Sequence, residues 1–219
     1  MKRIGRLGPW LLAALAAALP SFAASAPAPS ARTAAPPAAP ARTEKATFAA
    51  GCFWCAEAAF EGKPGVISVV SGYSGGEERD PTYEQVSAGR TGHYESVQVT
   101  FDPAKIGYER ILDIFWRNVD PTQGDGQFCD RGGQYRSAIF VMSATQRRIA
   151  EESRRRLVAK KRWKAPVVTP VLEFRSFWPA EAYHQDYHRK NPVEYRTYRL
   201  GCGRDRRLRE LWGEGAPPH

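Results

Sequence analysis

The chain has no hydrophobic run long enough to span a bilayer. Its apolar stretch WLLAALAAAL, residues 10–19, falls well short of the ~20 residues a membrane helix needs, so no spanning segment is expected in the mature protein. Cysteine is scarce, with four residues, at 52, 55, 129 and 202. Only the first two are closely spaced, and zinc requires two further ligands at matched spacing, so no metal site is expected. The recognised nucleic-acid signatures are missing, and there is no internal repeat. The net charge of +9 suggests an acidic partner until its distribution is read. Residues 1–45 hold Lys2, Arg3, Arg6, Arg32, Arg42 and Lys45 against Glu44, a net +5 that leaves +4 for residues 46–219. A mildly basic domain is an ordinary soluble one, and nucleic acid is not an expected partner.

What is present suffices for a packed core, with 42% hydrophobic and 11% aromatic residues in a length that suits one domain plus appendages. Lys2, Arg3 and Arg6 precede the short apolar segment, and Ala24-Ser25-Ala26 follows it as a small-residue cleavage pattern. Together they predict a secretory signal peptide over residues 1–26. No cysteine lies at the cleavage point, so a lipid anchor is not expected there. Residues 27–45, almost all Ala, Pro, Ser, Arg and Thr, read as a semi-extended linker. Residues 46–213 then form a single domain, and 214–219 a disordered tail. The expectation is an exported protein, in a bacterial periplasm, monomeric and free of the membrane once cleaved. Cysteines in an oxidising compartment invite disulfides.

Within the domain, strand patterns occupy residues 47–50, 66–74, 96–101, 136–141 and 167–174, the last interrupted or at an edge because of Pro170. Helical patterns follow at 56–62 and 108–119, and Ser143 caps a long basic helix whose charges read as a solvated face. Residues 75–94 form a long loop with a short helix around 83–87, and 120–134 form a second polar loop; loops of this length are usually functional. An aromatic and histidine cluster fills 176–190, followed by a polar tail and a short helix within LGCGRDRRLRELWG. Interleaved strands and helices of this kind predict one α+β domain, a sheet with helices on one face.

The stretch GCFWCAEAAF, residues 51–60, concentrates the chemistry. Cys52 lies at a strand-to-helix junction, where unpaired N–H groups and the macrodipole favour thiolate. Cys55 completes a CxxC, which suits a dithiol, zinc or a structural pair. Phe53 and Trp54 suit either core or a binding wall. Tyr83, Glu95 and Tyr135 each lie beside glycine-rich turns; a phenol donates a hydrogen bond and a desolvated glutamic acid donates a proton. A thiolate, an acid and hydroxyls beside aromatics suit a small polar group carrying a methyl. His93, His184 and His188 read as packed structural residues, and Glu181 and Asp186 as solvated.

GCFWCAE, GYSGG, PTYEQVSAGRTGHYE, DPTQGDGQFCDRGGQYRSAIF and YHQDYHRKNP, in that order over residues 46–212, resemble the A-class peptide-methionine sulfoxide reductases. The resemblance implies an α/β two-layer, ferredoxin-like plait with added segments. It implies Cys52 as nucleophile, Glu95 as acid, Tyr83 and Tyr135 as hydroxyls on the sulfoxide oxygen, Asp130 as an active-site aspartate, and Phe53 and Trp54 around the methyl. Its substrates would be oxidised proteins and free methionine sulfoxide. No prosthetic cofactor is implied; thioredoxin or a similar dithiol would act as external reductant on an intramolecular disulfide.

Many members carry glycine at the position of Cys55 and asparagine at that of Cys129, so three thiols here could resolve a Cys52 sulfenic acid. Cys202, in a glycine-flanked C-terminal segment, is the expected resolving residue. Cys55 and Cys129 are expected as accessory or structural thiols, with Cys129 packed near Cys55. A dithiol–disulfide exchanger built on the CxxC and a non-catalytic module for methyl-bearing ligands are the competing readings.

Overall fold

The computed structural model describes residues 42–216. The expected signal peptide and nearly all of the expected linker lie outside the described residues, as do residues 217–219. The elements run β1 (Glu44–Ala50), α1 (Phe53–Phe60), β2 (Val66–Ser74), α2 (Tyr83–Ser87), β3 (Tyr94–Phe101), α3 (Tyr108–Arg117), β4 (Gly126–Gln127) and β5 (Asp130–Arg131). They continue as β6 (Ser137–Val141), α4 (Ala144–Ala159), β7 (Val171–Glu173), β8 (Phe177–Pro179), α5 (Tyr187–Lys190), α6 (Pro192–Gly201) and α7 (Arg204–Trp212).

The main sheet has the order β7-β6-β1-β3-β2-β8. Its inner four strands belong to a β1-α1-β2-β3-α3-β6 run placed fourth, first, third, second, which is the ferredoxin-like split βαβ. Those four pair antiparallel, whereas β7 adds to β6 in parallel. The expected α+β plait is therefore the observed one.

Side-chain alternation decides what each strand gives the core. Val97, Val99 and Phe101 of β3 are fully buried in the main apolar cluster with Ala46, Phe48 and Ala50 of β1. Phe48 stacks within 5.4 Å of Phe60 from α1 and 5.0 Å of Phe115 from α3, so one aromatic joins the strand to both helices. In α3, Ile111, Leu112 and Phe115 are wholly buried, and the Trp116 indole donates to Ser153 Oγ at 2.9 Å, fastening α3 to α4. The basic face of α4 is solvated as expected, laced by pairs such as Arg148–Glu152 and Arg156–Glu152 that contribute little stability.

Register carries the site. Ala49 faces Ser96, Ala50 faces Ser137 and Tyr73 faces Glu95. The chain leaves β1 toward Cys52 at the same edge where β3 and β6 begin and β2 ends. Glu95 is in phase with Val97, Val99 and Phe101, so the strand's core-facing row ends in a carboxyl at that edge.

Several boundaries differ from expectation. β1 begins at Glu44 because Glu44 and Lys45 pair with Phe101 and Thr100, two residues inside the expected linker. The supposed polar tail after residue 190 is mostly the helix α6, opened by Pro192 at its first turn. The loop at 120–134 holds the β4–β5 hairpin, with Phe128 at φ +57 in its turn. β7 is only three residues long, at the sheet edge, and β8 lies within the aromatic cluster. Residues 213–215 form a 3-10 turn whose Gly215 carbonyl accepts from Arg117 at 2.7 Å, so the described part of the expected disordered tail is anchored.

Candidate active site

Cys52 lies in the turn between β1 and α1. Gly51 makes that turn possible: its φ is +79, and a Cβ there would fall 2.6 Å from Gln127 Cβ. Gln127 is itself fixed, exchanging hydrogen bonds of 2.8 and 2.9 Å with the Asp120 backbone. The Cys52 carbonyl accepts from the N–H groups of Cys55 and Ala56 and so opens the helix.

Cys52 and Cys55 are both free, and both are buried. α5 and α6 close over them with Tyr187, Tyr195 and Tyr198. The helix terminus was expected to favour a Cys52 thiolate, but desolvation wins. Burial pushes the Cys52 thiol well above its ordinary value, reinforced by Cys55 and the nearby Glu95. Cys55 moves the other way. The hydrogen bond from Cys52, with the charges of Arg204 and Arg199, overcomes burial and lowers it to about 6. The two sulfurs titrate as a pair in which the first proton leaves early and the second is retained.

Glu95 meets this pair through the backbone. The Phe53 N–H, the first of α1, donates to Glu95 Oε2 at 3.0 Å. Burial nevertheless raises the carboxyl to about 8, helped by the charges of Asp130 and Cys55, so Glu95 carries a proton at neutral pH. Tyr83 and Tyr135 are half-buried. Burial, and after it the charge of Glu95, lifts Tyr83 to about 12 and raises Tyr135 as well, so both remain hydroxyl donors. Each also senses Cys52 and Asp130. Cys52, Glu95, Tyr83, Tyr135 and Asp130 thus share one electrostatic neighbourhood. Tyr198, on α6, donates to Asp130 Oδ2 at 2.5 Å, and its hydroxyl is near enough to Cys52 to oppose in part the rise caused by burial.

The aromatic pair divides its work. Phe53 is 1% exposed and sits in the core beside Tyr73, Tyr83 and His184, at 4.9 Å from the last. Trp54 is half-buried and stacks on Tyr187 at 3.8 Å, while its indole donates to His184 Nδ1 at 3.1 Å. His184 is thereby the packed structural residue expected.

Two expectations are corrected here, for Glu181 and for the Cys129 and Cys202 thiols. Glu181 is not merely solvated: it accepts from the Tyr73 hydroxyl and the Tyr83 N–H, both at 2.8 Å, and so seats the loop that carries Tyr83. The Asp186 side chain is solvated as expected, but its backbone N–H donates to both oxygens of buried Glu57 at 3.1 Å, and Arg189 lies 3.0 Å from Glu61, so α5 is latched onto α1. Cys129, expected as a spare thiol near Cys55, and Cys202, expected as the thiol that resolves Cys52, are joined to each other as a disulfide between the β4–β5 turn and the end of α6. The hairpin holds Cys129 at the surface, where the C-cap of α6 reaches it.

Tyr198 and Arg204 were missed in the sequence. For Tyr198 a signal exists: Tyr195 and Tyr198, three apart after a proline, make one aromatic helix face. Arg204 is embedded in a basic run that reads as solvated.

Residues 44–216 match a family model described as peptide methionine sulfoxide reductase. MsrA of Bacillus licheniformis is 49% identical over 172 residues, covering 78% of this chain and 95% of that relative. MsrA 2 of Caulobacter vibrioides is 49% identical over 203 residues, covering 93% and 98%. Among solved structures, reduced Mxr1 of Saccharomyces cerevisiae matches with a TM-score of 0.65 at 31% identity, over 71% of this chain and 89% of that one. Methionine sulfoxide reductase A of Corynebacterium diphtheriae matches at 0.62 and 34%, over 69% and 76%. With its plait, its buried thiol and its protonated glutamic acid accounted for, the chain belongs to the peptide methionine sulfoxide reductase family.

Proposed function

We propose that this chain reduces methionine S-sulfoxide, free or within oxidised proteins, to methionine. The observation that carries the reading is Glu95: a carboxyl still protonated at neutral pH, hydrogen-bonded one residue from a buried thiol. A sulfoxide is a weak electrophile until its oxygen is protonated, and this is the group to do it. Tyr83 and Tyr135 donate hydrogen bonds to that oxygen as it gains charge. Asp130, held by Tyr198, orients the site, and Trp54, backed by the buried Phe53 ring 6.4 Å away, takes the methyl.

Cys55 carries the thiolate of the resting pair and is the base beside Cys52; it takes the Cys52 proton, against that resting preference, as attack on the substrate proceeds. The Cys52 thiolate attacks sulfur while Glu95 protonates oxygen; methionine leaves, and Cys52 becomes a sulfenic acid. The buried neighbourhood shared by Cys52 and Cys55 supports a return path with two stages. Cys202 remains on it, but Cys55 is the thiol adjacent to Cys52. Condensation of the Cys55 thiol with the sulfenic acid releases water and leaves a Cys52–Cys55 disulfide. N-cap and third helical residues are spaced within the Cα separation that a disulfide spans. Cys129 and Cys202, reduced by an external thioredoxin-like dithiol, then pass two electrons inward.

The targeting pattern of residues 1–26 supports export to a periplasm, and the protein works there as a monomer. The assay is turnover of separated sulfoxide epimers. Methionine from the S epimer, lost in Cys52→Ser, is the expected result; turnover retained by Cys52→Ser sinks the reading. The proximity of Cys52 and Cys55 also favours a second reading, disulfide exchange on other proteins. That activity would need Cys55 and be indifferent to Glu95→Gln.

A further inference from the structure

Arg204 is 1% exposed and is the largest of the fully buried side chains. Its Nη2 donates to the carbonyls of Ala50 at 3.1 Å and Asn118 at 2.7 Å, and its guanidinium lies 4.3 Å from the centre of the Phe128 ring. Its Nε donates to no group among the described residues. None of these partners is an anion. Arg199 has Asp205 at 2.6 Å and Arg207 has Asp120 at 2.8 Å, so two arginines close by in sequence have carboxylates where Arg204 has carbonyls. A buried charge without an opposite one is strongly disfavoured, so its compensation must lie nearby.

We infer that Arg204 is a positioning residue of the redox centre: its guanidinium is the counter-ion of the negative charge on the Cys52–Cys55 pair, and it ties the nucleophile's turn to the segment bearing Cys202. Both halves follow from placement. The Ala50 carbonyl that Arg204 holds is two residues before Cys52. On its own side Arg204 follows Cys202 and Gly203, the latter at φ +68, so the end of α6 and the start of α7 are pinned to the end of β1.

The charged and titratable groups around the thiols leave few alternatives. Glu95, from β3, is uncharged up to about 8. Tyr83 and Tyr135, from the loops, and Tyr195 and Tyr198, from α6, are all raised by burial and stay neutral. Arg199, from α6, is paired with Asp205. Asp130, from β5, also senses Arg204, but it is only half-buried and already receives the Tyr198 hydroxyl. Asp130 and the thiol pair are the two anions left to Arg204, and the thiol pair is the more deeply buried; of the two arginine charges that lower Cys55, that of Arg204 is the larger.

The test uses the full chain with Cys129→Ser and Cys202→Ser, reduced, so that two thiols remain, and reads thiolate absorbance against pH. One thiolate per chain should appear with a midpoint near 6. Arg204→Gln keeps amide donors for the two carbonyls but removes the charge; its midpoint should rise by about one pH unit or more. Arg204→Lys keeps the charge and should restore most of the shift. An unchanged midpoint in folded Arg204→Gln overturns the inference, and so does a parent chain with no thiolate below pH 8. If Arg204→Gln does not fold, thermal unfolding of the Cys52→Ala/Cys55→Ala chain decides. Its deficit in Tm relative to the parent should be larger at pH 8 than at pH 5, because only at the higher pH does the parent hold the compensating thiolate; an equal deficit overturns the inference. The inference rests on the proposed reductase reading only for its catalytic consequence. These measurements use no sulfoxide, so failure of the substrate assignment would appear separately, as absent methionine formation by the parent.

Discussion

The four cysteines form two pairs that share chemistry and little else. Cys52 and Cys55 lie under α5 and α6, both reduced, beside a protonated carboxyl and a buried arginine. Cys129 and Cys202 lie outside, joined as a disulfide across a hairpin turn and a helix end, with Cys129 exposed. On the proposed reaction, it is environment that assigns the roles. Desolvation holds the Cys52 proton until a partner takes it, and shields a sulfenic acid from stray thiols. Accessibility gives the outer pair what the inner one lacks, an approach for an external dithiol. A single cysteine could not meet both demands, since a thiol sheltered enough to act selectively is poorly placed to be reduced by another protein.

The comparison breaks most completely at Cys52. Cys52→Ser should reduce methionine formation to background even in a single turnover, whatever reductant is supplied. Next in size is Glu95→Gln, expected to slow sulfoxide reduction by ~10²–10⁴. It should also abolish the loss of rate expected of the parent as pH rises through about 8, where Glu95 gives up its proton. The same substitution has a signature in stability. Folded Glu95 holds its proton to about 8, against an ordinary value of 4.5, so its contribution is present at low pH and disappears as pH rises across that window. Glu95→Gln should therefore flatten the corresponding fall in Tm. A smaller effect is expected for Tyr198→Phe, which removes the hydroxyl donated to Asp130 and should cost about 10-fold in the reduction step by the loss of one hydrogen bond to a charged group. Smallest of all in a single turnover are Cys129→Ser and Cys202→Ser. Each should leave the first methionine untouched while stopping cycles driven by a thioredoxin-like protein; a small dithiol that can enter the site should restore them. Cycling driven by the protein reductant at the parent rate would erase the division between the pairs.

Much of the inner site could be read directly from residues. Cys52 after a glycine and a strand, and Glu95 in phase with Val97, Val99 and Phe101, are local patterns, and local patterns survive folding. The plait's strands were equally plain, because SVQVTF alternates cleanly and VISVVSGYS is rich in β-branched residues. The outer pair was not legible, since Cys129 and Cys202 are 73 residues apart and meet only through a hairpin whose turn places a phenylalanine at positive φ. α6 hid for a different reason: the residues it buries are Tyr195 and Arg199, so it shows no aliphatic stripe. Arg204 stands in RDRRLRE, where each charge looks alike; only the carbonyls of Ala50 and Asn118 distinguish the one that is buried. Glu181 likewise looked solvated until the Tyr73 hydroxyl and the Tyr83 N–H were seen to meet on it.

The division of labour between the pairs is tested most directly in a chain that lacks the outer one. The reduced Cys129→Ser/Cys202→Ser chain, mixed with excess methionine S-sulfoxide and quenched, should yield one methionine per chain at the parent's rate, with peptide masses showing a disulfide between Cys52 and Cys55. No methionine, or methionine with Cys55 still a free thiol, would contradict the account.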